Sequence, residues 1–181
     1  MRNVPALAAV LTILALGAQA DCPPAPDRAD ARAELHTRLL QSRSETEANR
    51  IADQLWQIWL EAPDAQAQEL LDTGMSQREG YALAESEATL DALIAYCPDY
   101  SEGYNQRAFT RFLRADYDGS LADLDKVLAA DPSHFGALSG RALNLLQQGR
   151  AQLAQQALRD AVKVHPWLQE RHMISGDADP I

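Results

Sequence analysis

Cys22 and Cys97 are the only thiols in the chain, too few for a Cys-rich zinc site or a dense disulfide scaffold. Two readings remain for them: one disulfide closing a loop of about 75 residues, or two free thiols with Cys97 packed in a core. In the chain-entropy picture such a loop stabilises by roughly 4 kcal/mol. The segment Asp116-Tyr117-Asp118-Gly119 with Asp125 has the acid spacing of a calcium loop, but its first ligand position falls on Arg114, a cation where the ion needs an oxygen. A turn opening a helix explains the same residues. His36, His134, His165 and His172 show no i, i+4 pair and no HExxH spacing. No G-x-S-x-G, phosphate-loop or dinucleotide glycine pattern occurs, and the Gly136–Gly140 stretch GALSG reads as close packing. The expectation is therefore no catalytic residue, no metal and no cofactor. One charge pattern stands out: Arg107 and Arg141 recur at a fixed step along the chain, Asp91 and Asp125 recur at the same step, and each Asp precedes its Arg by the same interval.

Composition limits the partners. The 181 residues carry 16 Lys+Arg against 26 Asp+Glu, a formal charge of −10. That acid excess argues against nucleic acid, which needs clustered cations. Residues 1–20 differ in kind: Arg2 is a short positive region, Ala6 to Leu16 is apolar apart from Thr12, and Ala18-Gln19-Ala20 is a small-x-small site. This is the layout of a secretory signal peptide. The apolar run rises about 16 Å as a helix, short of a bilayer core of ~30 Å, so a membrane anchor is the poorer reading. A lipoprotein reading of Cys22 meets Asp21 where a small residue is needed. Cleavage near Ala20 would leave 15 basic and 26 acidic residues, a charge of −11. The expected location is secreted, most readily a bacterial periplasm.

The scaffold behind these residues is repetitive. Pro98, Pro132 and Pro166 are evenly spaced, each closing an apolar helical stretch. Small residues recur at Gly74, Ala108 and Ala142, and at Ser86, Ser120 and Ala154. Leu90, Leu124 and Leu158 follow the same step, as do Leu93, Val127 and Ala161. The segment 101–132, with Tyr104, Ala108, Tyr117, Ser120, Leu124, Val127 and Pro132, resembles the tetratricopeptide repeat (TPR), a 34-residue helix pair. The resemblance implies an all-α fold, a right-handed superhelix of stacked antiparallel helix pairs, with repeats at 67–100, 101–134 and 135–168. Because second helices pack on the next first helix in such arrays, Asp91–Arg107 and Asp125–Arg141 are expected to pair between repeats. Asp123 could also reach Arg107. The alternative is that these arginines hold a ligand carboxylate.

Outside the repeats, 21–29 reads as an extended, proline-rich leader and 30–63 as a degenerate helix pair. Ser44 and Glu47 form a capping box there, and Ile51, Leu55, Trp56, Ile58, Trp59 and Leu60 form a broad apolar face. Residues 167–175 are expected to cap the array as a helix, and 176–181 to fray.

In the family the resemblance points to, first helices line a concave groove. Carried over, the groove residues are Leu71, Met75 and Arg78; Glu102, Asn105, Phe109 and Phe112; and Ser139, Leu143, Leu146 and Gln147. Asn105 and Ser139 are expected on an open polar rim. The competing reading makes part of this stripe core, covered by the N-terminal pair. The implied function is a non-enzymatic protein-interaction module binding a partner peptide or helix in the groove. A different class is a self-associating structural subunit using the Trp56/Trp59 face or an open repeat end. An enzyme with an unrecognised site is the remote third.

Overall fold

The computed structural model describes residues 22–175; the expectations for residues 1–20 and 176–181 lie outside the described residues. Eight α-helices follow one another in the order α1 (Ala29–Gln41), α2 (Glu45–Trp59), α3 (Ala65–Glu79), α4 (Leu83–Tyr96), α5 (Ser101–Leu113), α6 (Tyr117–Ala130), α7 (Phe135–Gln147) and α8 (Ala151–Val164). There is no strand among the described residues, and none of their helices is long and apolar enough to cross a membrane.

Helices α3–α8 form three hairpins whose local chemistry recurs with each repeat. Within each hairpin the two helices approach at a small residue: a Cβ on Gly74 would lie 2.8 Å from Leu90 Cγ. Close by, Ser86 Oγ donates to Gly74 O, and Ser120 Oγ to Ala108 O, both at 2.8 Å. In the third hairpin Ala154 takes that place, fully buried in one core with Ala142. Leu90, Leu93, Leu124, Val127 and Leu158 fill the interiors. Each first helix ends in the same paired closure. Tyr81 N–H donates to Arg78 O and Ala82 N–H to Gln77 O, with equivalents at Ala115/Asp116 and Gly149/Arg150. The residue at the bend has positive φ every time: Tyr81 62°, Ala115 61° and Gly149 71°. This is the Schellman ending of a helix.

The N-terminal pair departs from the stacking pattern. Ser44 caps α2 by accepting Glu47 N–H at 3.2 Å, while Glu47 reaches back to Arg43 N–H, one residue further than a standard capping box. The backbone of α2 does not pack closely on α3 in the way that α4 packs on α5. Instead α1 and α2 share a core with the far end of the array: Leu39, Ile51, Leu55 and Trp59 cluster with Phe135, Leu138, Ala161 and Leu168. Trp167 Nε1 donates to Ser42 O, and Arg171 pairs with Glu45, which ties the same two ends. Trp56 and Trp59 make ring contacts with His134 and Phe135 there, and large aromatic side chains contribute strongly to a core. These contacts bury Trp59 and half-bury Trp56 inside the chain.

Beyond Pro166 the expected capping helix is replaced by a five-residue 3-10 helix, Gln169–Met173. Leu168 buries itself at the junction, but Gln169-Glu170-Arg171-His172 supplies no apolar stripe to hold an α-helix against the array.

Candidate functional site

The first helices α3, α5 and α7 lie side by side along the inner face. Equivalent positions of successive repeats form columns: Met75, Phe109 and Leu143 in one, Arg78 and Phe112 in the next. These five residues, with Asn105 and Ser139, line a cavity of about 420 Å³. Trp56 and Leu60, from α2 and its C-terminal end, close one side of it, and Glu170 of the 3-10 helix also lines it. The inner face is thus part core and part cavity.

Four of the expected groove residues lie elsewhere. Leu71 is fully buried in a cluster with Ala62, Ala67, Leu90, Leu93 and Tyr100. Leu146 is half-buried against the core of the third hairpin, and Gln147 is exposed beyond the cavity's end. Glu102, which looks like a surface acid, is 1% exposed. Its Oε1 accepts from Asn105 Nδ2 at 2.9 Å and from Gln106 Nε2, and its Oε2 faces His134 Nε2 at 3.1 Å. His134 Nδ1 accepts Ala137 N–H, which places the ring proton on Nε2 and makes it the donor to Glu102. Three donors satisfy this buried carboxylate. Asn105 and Ser139 are 7% and 6% exposed, walls rather than an open rim, because Glu102 draws Asn105 inward and α2 covers the face.

His134 is also what the tryptophans grip. Trp59 stacks on it with ring centroids 3.8 Å apart, and Trp56 meets it edge-on at 5.6 Å. Trp59 Nε1 donates to Asp131 Oδ2 at 3.0 Å, and Tyr100 O–H donates to Trp59 O at 2.8 Å. Burial pushes the Tyr100 hydroxyl well above the usual phenol range, so it stays a donor. Gly136 allows this approach: a Cβ there would lie 2.5 Å from Trp56 Cη2.

Arg78 and Asn144 are among the polar residues that line the cavity. Arg78, 8% exposed, donates through Nη1 to Gln106 Oε1 at 2.7 Å and lies over the Phe109 ring at 4.6 Å. Desolvation lowers its pKa from the ordinary arginine value, against the pull of Glu79 and Glu102. Asn144, 1% exposed, donates from Nδ2 to Gly140 O at 2.8 Å, while its Oδ1 accepts nothing among the described residues. Phe109 is half exposed at the opening.

The charged columns stand on the other flank. Arg107 lies 2.6 Å from Asp91 and makes two bonds, of 2.8 and 2.6 Å, to Asp123. Those bonds, Asp123's first, raise its pKa. Arg111 joins Asp123 to Glu87, Arg114 pairs with Glu87, and Arg141 with Asp125. These arginines face carboxylates of the chain, not the cavity. Asp116, the acid of the calcium-like segment, accepts Gly119 N–H and caps α6. Cys22 and Cys97 form a disulfide with Cα atoms 5.2 Å apart, holding the leader to the end of α4.

Trp56, Leu60, Gln106 and Asn144 help to build the cavity, although the sequence does not single them out as groove residues. Asn144 has a signal, since Ser76, Thr110 and Asn144 form a polar column at the repeat step. Trp56 and Leu60 have none, because they lie outside the repeats.

No family model matches the sequence. A TPR repeat-containing protein of Rhizobium etli is 32% identical over 136 residues, which is 74% of this chain and 65% of that protein, so the chain spans less than two thirds of that relative. Among solved structures, the first TPR of Spaghetti (RPAP3) bound to the HSP90 peptide SRMEEVD aligns with a TM-score of 0.58 at 15% identity, over 60% of this chain and 87% of that one. MamA (residues 41 to the end) from Desulfovibrio magneticus RS-1 aligns at 0.53 and 18% identity, over 79% and 78%. Helix pairs that close alike in every repeat, together with these likenesses, make the fold a TPR-like helical superhelix.

Proposed function

We propose that the protein is a non-enzymatic, exported interaction module that holds a short peptide segment of a partner in its inner cavity. The TPR fold generally mediates protein–protein interaction, and one structural neighbour was solved with a peptide bound. The observation that carries the reading is the column Met75, Phe109 and Leu143, left facing an open cavity although much of the inner face is buried by α2. At about 420 Å³ the space suits one or two side chains of an extended segment. A whole partner helix would have to displace Trp56 and Trp59 from His134, so a peptide is favoured over a helix.

Export is supported by the layout of residues 1–20 and by the Cys22–Cys97 disulfide, a bond that persists in oxidising compartments such as a bacterial periplasm. Two measurements test the proposal. A random peptide library is panned against the wild-type chain and against Leu143→Arg, which places a charge in the apolar floor. Selected peptides should lose about 10- to 100-fold in affinity in the variant, the worth of one buried apolar side chain. Equal binding to both proteins would put the interaction elsewhere. For export, the intact mass of the protein recovered from the periplasmic fraction should match cleavage near Ala20; an unprocessed cytoplasmic product would remove that part.

A further inference from the structure

Helices α1 and α2 run between the two ends of the array as a strap whose own ends are held differently. At one end the chain continues through Ala62 into α3, Tyr100 O–H holds Trp59 O, and the Cys22–Cys97 disulfide fastens the leader to the end of α4. At the other end the turn between α1 and α2 meets the array with no covalent link. Trp167 Nε1 donates to Ser42 O at 3.3 Å, and Arg171 pairs with Glu45, whose side chain is 57% exposed. Between them the seam is made mainly by side chains, Leu39, Ile51 and Leu55 meeting Phe135, Leu138 and Ala161.

Two histidines stand in this seam with a ring nitrogen left over. His36 of α1 lies with Nε2 3.1 Å from Ser133 Oγ, and that hydroxyl gives its one hydrogen to Asp131 Oδ1. Nε2 therefore carries the His36 proton, and Nδ1 is a bare lone pair, buried and without a partner among the described residues. His165, 4% exposed at the end of α8, meets Phe135 edge-on and has the same buried, unpartnered Nδ1. An imidazolium donates from both nitrogens, so each ring, once charged, holds a buried N–H with no acceptor. His134, the third histidine of the seam, differs: Glu102 and Ala137 N–H occupy its two nitrogens.

The charges around the two rings do not compensate. Asp131 faces His36, but its oxygens already accept from Trp59 Nε1 and from Ser133 N–H and O–H, with Arg32 3.7 Å away. Burial is the largest influence and lowers the pKa of both rings. Asp131 opposes it at His36, where His134 and Arg32 add to it; Glu170 opposes it at His165, where Arg171 and His36 add to it. The undocked strap thus binds protons more readily than the docked one, and acid favours undocking. We propose that α1–α2 is an acid-sensitive strap, released from its free end at α8 when His36 and His165 are protonated. Release draws Trp56 away from the side of the inner cavity while the three hairpins stay folded. The inference concerns the array itself and holds whatever the cavity binds.

Hydrogen exchange of the disulfide-bonded protein tests it, followed by mass spectrometry for the helices and by NMR for the Trp59 and Trp167 indole N–H groups. The pH is lowered from about 7.5 to about 5, which stays above the ordinary carboxylate values. After correction for intrinsic exchange, the opening constant of α1, α2 and both indoles should rise about tenfold per pH unit for each titrating histidine, up to about 100-fold per unit. Protection in α3–α6 should hold over the same range. His36→Gln, which keeps a donor towards Ser133, and His165→Leu should each remove about one tenfold step per unit, and the double variant should show no pH dependence. Should the double variant fail to fold, the wild-type protein and the single variants decide. Opening of α1–α2 that ignores pH overturns the inference. Loss of protection in α3–α6 in step with α1–α2 also overturns it, since that is global unfolding. An unchanged pH slope in both single variants places the titration on other groups and overturns it as well.

Discussion

The three positive-φ residues at the first-helix endings allow a direct test of how the array is built. Tyr81, Ala115 and Gly149 take the same left-handed conformation at the same repeat position, yet only the last is glycine. A residue with a Cβ is disfavoured there by roughly 1–2 kcal/mol, whereas glycine loses about 0.4–1 kcal/mol more backbone entropy on folding. Ala115→Gly should therefore stabilise the protein by about 0.5–1 kcal/mol. Tyr81→Gly should act in the same direction, since Tyr81 is 72% exposed and gives up little packing. Gly149→Ala should destabilise by a similar amount through strain alone, because a Cβ at Gly149 meets nothing within 4 Å. The assay is urea unfolding with the disulfide intact, comparing midpoints at unchanged slope. Loss of stability in Ala115→Gly, with Gly149→Ala neutral, would overturn this account: the turns would then be relaxed, and their shared geometry would not come from the Schellman closure.

Other perturbations address the tether, the charges and pH. Replacing both Cys22 and Cys97 by Ser opens a 75-residue loop and should cost up to about 4.5 kcal/mol in the chain-entropy model, read as a lower urea midpoint; an unchanged midpoint would show that the leader does not restrain the unfolded chain. Arg107→Ala leaves Asp123, whose side chain is 2% exposed, with Arg111 as its remaining cation and should cost about 2–4 kcal/mol. Arg141→Ala, whose partner Asp125 is 68% exposed, should cost under about 1 kcal/mol. Equal losses in the two variants would contradict the burial argument. Desolvation lowers the pKa of both His36 and His165 below the ordinary histidine value, so the unfolded chain binds protons first as pH falls. Stability should be level above the unfolded histidine pKa and decline as pH drops through about 6.5 towards the folded values. His165→Leu should flatten that decline; a stability that rose on acidification would reverse the sign.

Much of this fold is legible because its logic is local. The repeat step records where two helices must touch, so Gly74, Ala108 and Ala142, and the prolines after each pair, mark the hairpins without any knowledge of distant contacts. The disulfide partners are likewise restricted by count, and the Asp91, Asp123 and Arg107 contacts follow from helix pairs stacking in register. The repeated left-handed turn is hidden, because Tyr81 and Ala115 are not the residue types that such a turn selects. Glu102 is misread for a similar reason: whether a carboxylate lies at the surface or in the core depends on donors supplied from elsewhere, here His134 at a separation of 32 residues.

Amino-acid order alone specifies the helix pairs, their spacing and the apolar column on the inner face, since these depend on neighbours within one repeat step. What becomes of that face is a matter of long-range packing. Helix α2 does not continue the stack; its Trp56 and Trp59 meet His134 and Phe135, far along the chain. No periodicity encodes a contact at that separation. Burial of the two tryptophans covers part of the groove, and what they leave uncovered is the cavity that holds Arg78 and Asn144.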